Sequence, residues 1–144
     1  MVEMIEKNYK SNSCEETKEL ANALAKRLCP GQIVLLSGDL GAGKTVFAKG
    51  FAEGLGITAD ITSPTFTIMN SYDGVLNHFD LYRLKSVDEL LGVGAEEELF
   101  GDKISLVEWP EIVGFNFFPK KAIKVTIRKI NENERSIDIN YNGK

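Results

Sequence analysis

Gly38-Asp39-Leu40-Gly41-Ala42-Gly43-Lys44-Thr45 is a full match to G-x-x-x-x-G-K-[ST], and no other stretch restricts the chain as much. The motif needs a strand before it and a helix after it. Its glycines must turn the backbone so that successive N–H groups point inward at phosphate oxygens. Both flanks are present. Ile33-Val34-Leu35-Leu36 is a continuous apolar run just upstream, the pattern of a strand buried on both faces. Downstream, Phe47, Phe51 and Leu55 recur at helical spacing with Ala48 and Ala52 beside them, and Gly54 and Gly56 close the run. A chain of this length matches the motif by chance roughly once in 200, and a chance match has no reason to carry the flanks. Helix N-termini attract anions. Lys44 is spaced to reach the outer phosphates of a nucleoside triphosphate, and the Thr45 hydroxyl to ligate Mg²⁺.

The chain has 144 residues, which predicts one domain spanning 1–144 with a core that needs no disulfide or structural metal. Hydrophobic residues make up 43% and charged residues 26%, the balance of a soluble globular protein. No run approaches the 18 apolar residues of a membrane span, and Met1–Lys7 is mixed in charge without a signal-peptide core. The expected location is cytoplasmic, with no membrane partner. A net charge of −4 argues against holding nucleic acid by a general field, so a role in nucleic-acid chemistry runs through a partner. Cys14 and Cys29 both fall on one predicted helix, 14–28, about 22 Å apart, too far to pair. His78 is the only histidine, which argues against a zinc site and against a Ser-His-Asp triad.

The remaining elements follow from local signals. Residues 2–9 read as a short edge strand. Ser13 with Glu16 forms a capping box for the helix 14–28, which stops at Pro30-Gly31. Gly50 inside the next helix costs about 1 kcal/mol against Ala, a cost that close packing would explain. Thr62-Ser63-Pro64-Thr65 is a hydroxyl-rich loop. Phe66–Tyr72 and Val75–Asp80 flank Asp73-Gly74, a strong hairpin signal. Ser86 with Glu89 reads as a second capping box, over a short helix 86–91, and Glu96–Glu98 as a helical turn. Ile104–Val107 is a second buried strand, residues 114–120 a loop, and Ala122–Ile130 with Arg135–Tyr141 a closing hairpin.

A phosphate loop needs carboxylates nearby, and ligands of open α/β sheets bind at the carboxyl ends of strands. Asp80 and Glu108 end the two strands placed to deliver them. Glu108 stands where a Walker-B acid would, for the metal or the attacking water. Thr65 reads as a switch, its hydroxyl or that of Ser63 sensing the outermost phosphate and Mg²⁺, or as a turn held by Ser/Thr side chains. Trp109 reads as core or as a contact surface, with core the commoner fate of a lone Trp. Phe115, Phe117 and Phe118 read as folded back on the body, with a partner patch as the alternative.

Together the phosphate loop, Ser63-Pro64-Thr65-Phe66, His78-Phe79-Asp80-Leu81-Tyr82-Arg83 and Val107-Glu108-Trp109-Pro110-Glu111 closely resemble the TsaE (formerly YjeE) family, from about Ser13 to Arg135. The resemblance implies an α/β, P-loop NTPase-like three-layer sandwich with a mixed, largely parallel central sheet and helices on both faces. It implies an ATPase subunit of bacterial tRNA threonylcarbamoyladenosine synthesis that uses ATP and Mg²⁺. Such a subunit works with TsaB and TsaD on adenosine 37 of tRNAs reading codons that begin with A. It meets tRNA only through the complex and does not transfer the group itself; its hydrolysis resets the complex. Carried over, Gly41, Ala42, Gly43, Lys44, Thr45 and Val46 hold the phosphates, and Thr45 and Glu108 hold the metal. Lys44, Asp80 and Glu108 serve hydrolysis, Trp109 matches a functionally important position, and Cys14, Thr17 and Arg135 match positions on the adenine side.

Three rivals share the loop. A small-molecule kinase would bring an arginine-rich lid, and the arginines here, Arg27, Arg83, Arg128 and Arg135, do not cluster in sequence. A regulatory GTPase would carry D-x-x-G and N-K-x-D, and neither is present. A nucleotide-gated assembly module without turnover would look the same in sequence.

Overall fold

The structure is a computed structural model that describes residues 4–39, 41–62, 64 and 68–142. Its strands are β1 (Met4–Ser11), β2 (Ile33–Gly38), β3 (Met69–Tyr72), β4 (Leu76–Asp80), β5 (Ile104–Glu108), β6 (Ile123–Lys129) and β7 (Arg135–Asn142). They form one mixed sheet in the order β1-β7-β6-β2-β5-β4-β3. The centre is parallel: β2 pairs with β5 and β6, and β5 with β4. Both flanks are antiparallel, β3 on β4 at one side and the β6, β7, β1 run at the other. The expected mixed sheet is therefore present, with its parallel part confined to the middle.

Alternation along β2 explains why it reads as wholly apolar. Val34 and Leu36 face one core with Leu106, Val125, Ile127, Phe47 and Phe51. Ile33 and Leu35 face a second core with Phe79, Leu81, Val107, Leu90 and Leu99. The first core lies under helices α1 (Cys14–Ala25) and α2 (Lys44–Gly54). The second lies under α3 (Val87–Gly92) and α4 (Ala95–Leu99). The helices thus cover both faces.

Several local readings shift. The Ser13 hydroxyl accepts from the Glu16 N–H at 3.1 Å, while the Glu16 carboxylate accepts from the Asn12 N–H at 2.9 Å, so α1 starts at its box. It ends at Ala25 rather than at residue 28. Arg27 and Leu28 turn their N–H groups onto carbonyls three residues back, Leu24 and Ala25, and the helix tightens out before Pro30. Cys29 therefore lies beyond α1, and both cysteines are free and exposed. Ser86 makes no side-chain capping bond; instead Glu89 accepts from the Lys85 N–H at 2.6 Å. The stretch read as a loop at 114–120 contains a short 3-10 turn, Phe115–Phe117. Within it Phe118 is buried and Phe117 packs on the second core, while Phe115 stays exposed. The first half of the Phe66–Tyr72 strand lies largely outside the described residues, as do Ser63 and Thr65 of the proposed switch.

Gly50 shows why the helix over the phosphate loop tolerates a glycine. A Cβ there would stand 2.6 Å from Lys18 Cα and 2.9 Å from Lys18 C, backbone atoms of α1 that have no room to yield. Gly50→Ala gains about 1 kcal/mol of helix propensity but forces α1 and α2 apart. We expect a net destabilisation of about 1–3 kcal/mol, read as a lowered midpoint in chemical denaturation with an unchanged slope.

Candidate functional site

Parallel pairing ends β2, β4 and β5 at the same edge of the sheet. Leu36 of β2 stands opposite Glu108, and Glu108 stands opposite Asp80. Alternation from Leu76 and Leu106, which sit in the core under α1 and α2, places His78, Asp80 and Glu108 on that same face. The phosphate loop leaves β2 at Gly38 and enters α2 at Lys44. Gly43 caps α2 with φ of 110°, a left-handed conformation closed to ordinary side chains. The loop is drawn tight by bonds from Ala42 N–H to Asp39 O and from Phe47 N–H to Gly43 O, both 3.0 Å.

A cavity of about 380 Å³ opens at this edge, lined by Gly41, Gly43, Lys44, Thr45, Val46, Asp80, Tyr82, Glu108, Trp109 and Arg135. Every sequence-predicted phosphate, metal or hydrolytic residue is on that wall except Ala42. The Ala42 side chain is buried in the core and its carbonyl accepts from Arg135 Nε at 2.8 Å. A second cavity, about 180 Å³, is lined by Cys14, Thr17, Glu132 and Asn133 among others, and it shares Gly43, Val46 and Arg135 with the first. Within it Cys14 is exposed, whereas Thr17 is buried with its hydroxyl 2.6 Å from the Ser11 hydroxyl. Thr65 is not among the described residues.

The Lys44 ammonium donates to the Gly38 carbonyl at 2.6 Å and stands 3.4 Å from the centre of the Trp109 ring. Burial pushes its pKa below the ordinary 10.5, and the charges of Glu108, Glu111, Asp80 and Asp39 pull part of the way back. Trp109 is neither plain core nor plain surface. It is half-buried against the second core, its ring centre is 4.8 Å from that of Tyr82, and its backbone has φ of 59°. A left-handed bulky residue is strained, and here the turn carries the indole from the end of β5 under the Lys44 ammonium. The Asp80 carboxylate accepts from the Tyr82 N–H at 3.0 Å. Glu108, 4% exposed, is held by His78, whose Nε2 lies 2.6 Å from Oε2.

This donor set suits a triphosphate with a hard cation. A hydroxyl at Thr45 and carboxylates at Asp80 and Glu108 are oxygen ligands, and the start of α2 with Lys44 favours anions. Among the described residues no group of three or more His, Cys, Asp or Glu forms a metal cage. Mg²⁺ is ordinarily held by one or two carboxylates together with substrate phosphates, and these residues fit that pattern. Sequence reasoning passed over His78, Tyr82 and Glu111. His78 could have been found from its place two residues before Asp80 on one strand face. Tyr82 and Glu111 stand inside the blocks that carry the resemblance, but nothing in their residue type or spacing assigned them a task of their own.

A family model described as Threonylcarbamoyl adenosine biosynthesis protein TsaE matches residues 11–137. A Bacillus subtilis protein named tRNA threonylcarbamoyladenosine biosynthesis protein TsaE is 45% identical over 126 residues, spanning 85% of this chain and 78% of that one. A Treponema pallidum protein of the same name is 37% identical and spans 90% of this chain and 96% of its own. The crystal structure of Bacillus subtilis YdiB superimposes with a TM-score of 0.77 at 38% identity, covering 99% of this chain and 88% of that one.

The Lys44 environment sets two expectations. The unfolded chain keeps this proton to higher pH than the folded one. The charged amine therefore costs stability, and the cost is relieved as pH rises from the lowered pKa toward 10.5. Any triphosphate held by the charged Lys44 should respond the other way, its affinity falling as pH rises past the lowered pKa. Calorimetric titrations from neutral pH upward should show the loss beginning below 10.5, and the Lys44→Arg chain, which stays charged, should show no such slope. Trp109 is the only tryptophan, so its emission should report any triphosphate that draws Lys44 off the ring, and that change should shrink in Lys44→Met.

Proposed function

The chain belongs to the TsaE family, and from that premise we propose that it is a Mg²⁺-dependent ATPase of tRNA threonylcarbamoyladenosine synthesis in the cytoplasm. In this reading the single domain works with TsaB and TsaD, which act on adenosine 37 of tRNAs reading codons that begin with A. It contributes nucleotide turnover that resets the complex rather than the group transfer. The observation that carries the reading is one cavity in which a phosphate loop, Lys44, Thr45, Asp80 and Glu108 meet at the ends of parallel strands.

Each residue has a task in that reading. The loop from Gly41 to Val46 cradles phosphate oxygens with its backbone and the start of α2. Lys44 exchanges the Gly38 carbonyl for the outer phosphates. The Thr45 hydroxyl and the Glu108 carboxylate hold Mg²⁺, which when bound neutralises charge on the phosphate oxygens. Asp80, steadied by the Tyr82 N–H, orients the attacking water and takes its proton. Cys14, Thr17 and Arg135 border the base, and Thr65 acts as the switch for the outermost phosphate. Trp109 carries the state of Lys44 to the surface that TsaB and TsaD meet.

Phosphate release measured alone and with TsaB and TsaD tests this. Turnover should be slow alone, rise with the partners, and fall at least about 100-fold in Lys44→Ala. Unchanged turnover in Lys44→Ala would remove the ATPase reading. With Glu108→Gln, modified tRNA should appear as a single burst. Sustained modification by that variant would instead mark a nucleotide-gated assembly module.

A further inference from the structure

His78 lies in the row Leu76, His78, Asp80 of β4, on the face that α2 covers. Its ring is 1% exposed, and Nε2 stands 2.6 Å from Oε2 of Glu108. A carboxylate oxygen only accepts, so Nε2 carries the shared hydrogen. Nδ1 is buried and, among the described residues, has no hydrogen-bond partner. The imidazole is thus tied at one nitrogen, and the tie goes to a carboxylate that lines the cavity. Lys44 lies within Coulombic reach of the same carboxylate. An untethered Glu108 would be drawn onto that ammonium.

We propose that His78 is a positioning residue for Glu108. It clamps Oε2, leaves Oε1 for the cavity, and keeps the carboxylate apart from Lys44 so that both stay available to a bound Mg²⁺–nucleotide. The inference rests on the reading of Glu108 as a metal ligand. Hydrogen-bond partners that orient metal-ligating side chains commonly set affinity by about 10–100-fold, and His78 has the burial and the geometry for that task.

Two measurements on the full chain test it. Calorimetry gives the free Mg²⁺ needed for half-maximal tightening of ADP binding. We expect His78→Leu to raise it about 10–100-fold, and His78→Gln, whose amide N–H reaches the place of Nε2, to recover most of the loss. Circular dichroism monitors folding. Should His78→Leu not fold, His78→Asn, which reaches only as far as Nδ1, takes its place against His78→Gln. His78 is the sole histidine, so the imidazole ¹⁵N spectrum is unambiguous. Nε2 should be protonated and Nδ1 bare, and the Nε2 resonance should move when Mg²⁺ is added to the ADP complex. A wild-type Mg²⁺ requirement in the apolar variant, or equal losses in His78→Leu and His78→Gln, would overturn the positioning role. Glu108→Gln separates the two readings. If it leaves the Mg²⁺ requirement unchanged, the metal-ligand reading falls and the positioning role with it. If it raises the requirement while His78→Leu does not, only the positioning role falls.

Discussion

Parallel registration of β4, β5 and β2 brings three strand ends to one edge of the sheet, and the site depends on it. The pairs Leu36 with Glu108 and Glu108 with Asp80 stand the two acids side by side where the phosphate loop leaves β2. A slip of one residue would turn Glu108 to the other face, under α3 and α4, since side chains alternate along a strand. Burial resists that slip. Val34, Leu36, Leu106 and Val125 are fully buried in the core beneath α1 and α2, and each would have to change faces.

That core also sets the electrostatics. Lys44 opens α2 at its buried edge and is therefore desolvated, but it remains among Glu108, Glu111, Asp80 and Asp39. A buried ammonium needs such neighbours, and Lys44 satisfies part of its hydrogen-bonding capacity at the Gly38 carbonyl and over the Trp109 ring. The left-handed turn at Trp109, a strain of about 1–3 kcal/mol, is offset by the contacts that the indole makes with Lys44 and Tyr82. Glu108 is kept from collapsing onto Lys44 by the opposing bond to His78. The resting site is a set of charges held apart.

Elements whose signals are local were readable. The loop motif with its flanks, the Ser13 box, the Asp73-Gly74 hairpin and the doubly apolar β2 each depend on neighbours a few residues away. Misreadings arose where two local rules compete. Leu28 continues the apolar spacing of α1, yet the chain tightens into 3-10 bonds after Ala25 because the turn toward Pro30 begins there. Ser86 carries the letters of a cap, but Glu89 engages the Lys85 N–H and the Ser86 hydroxyl takes no part in capping.

Residue chemistry along the chain was enough to pick out a P-loop motif, two strand-end acids and the family resemblance, because each is a short pattern of fixed spacing. Contacts across the fold were beyond it. Arg135 reaches the Ala42 carbonyl from 93 residues away, and His78 reaches Glu108 from 30. No periodicity encodes such pairs; they arise when strands pair and a β-hairpin closes over the loop. The scattered arginines gave no hint by themselves that Arg135 would line the cavity, which only the family resemblance suggested, and the spacing that puts His78 on one strand face with Asp80 says nothing of its bond to Glu108. Sequence fixes which groups are available and on which face of their own element they stand. The sheet registers and the close approach of α1 to α2 decide which groups meet, because only packed, desolvated neighbours hold charges at hydrogen-bond distance.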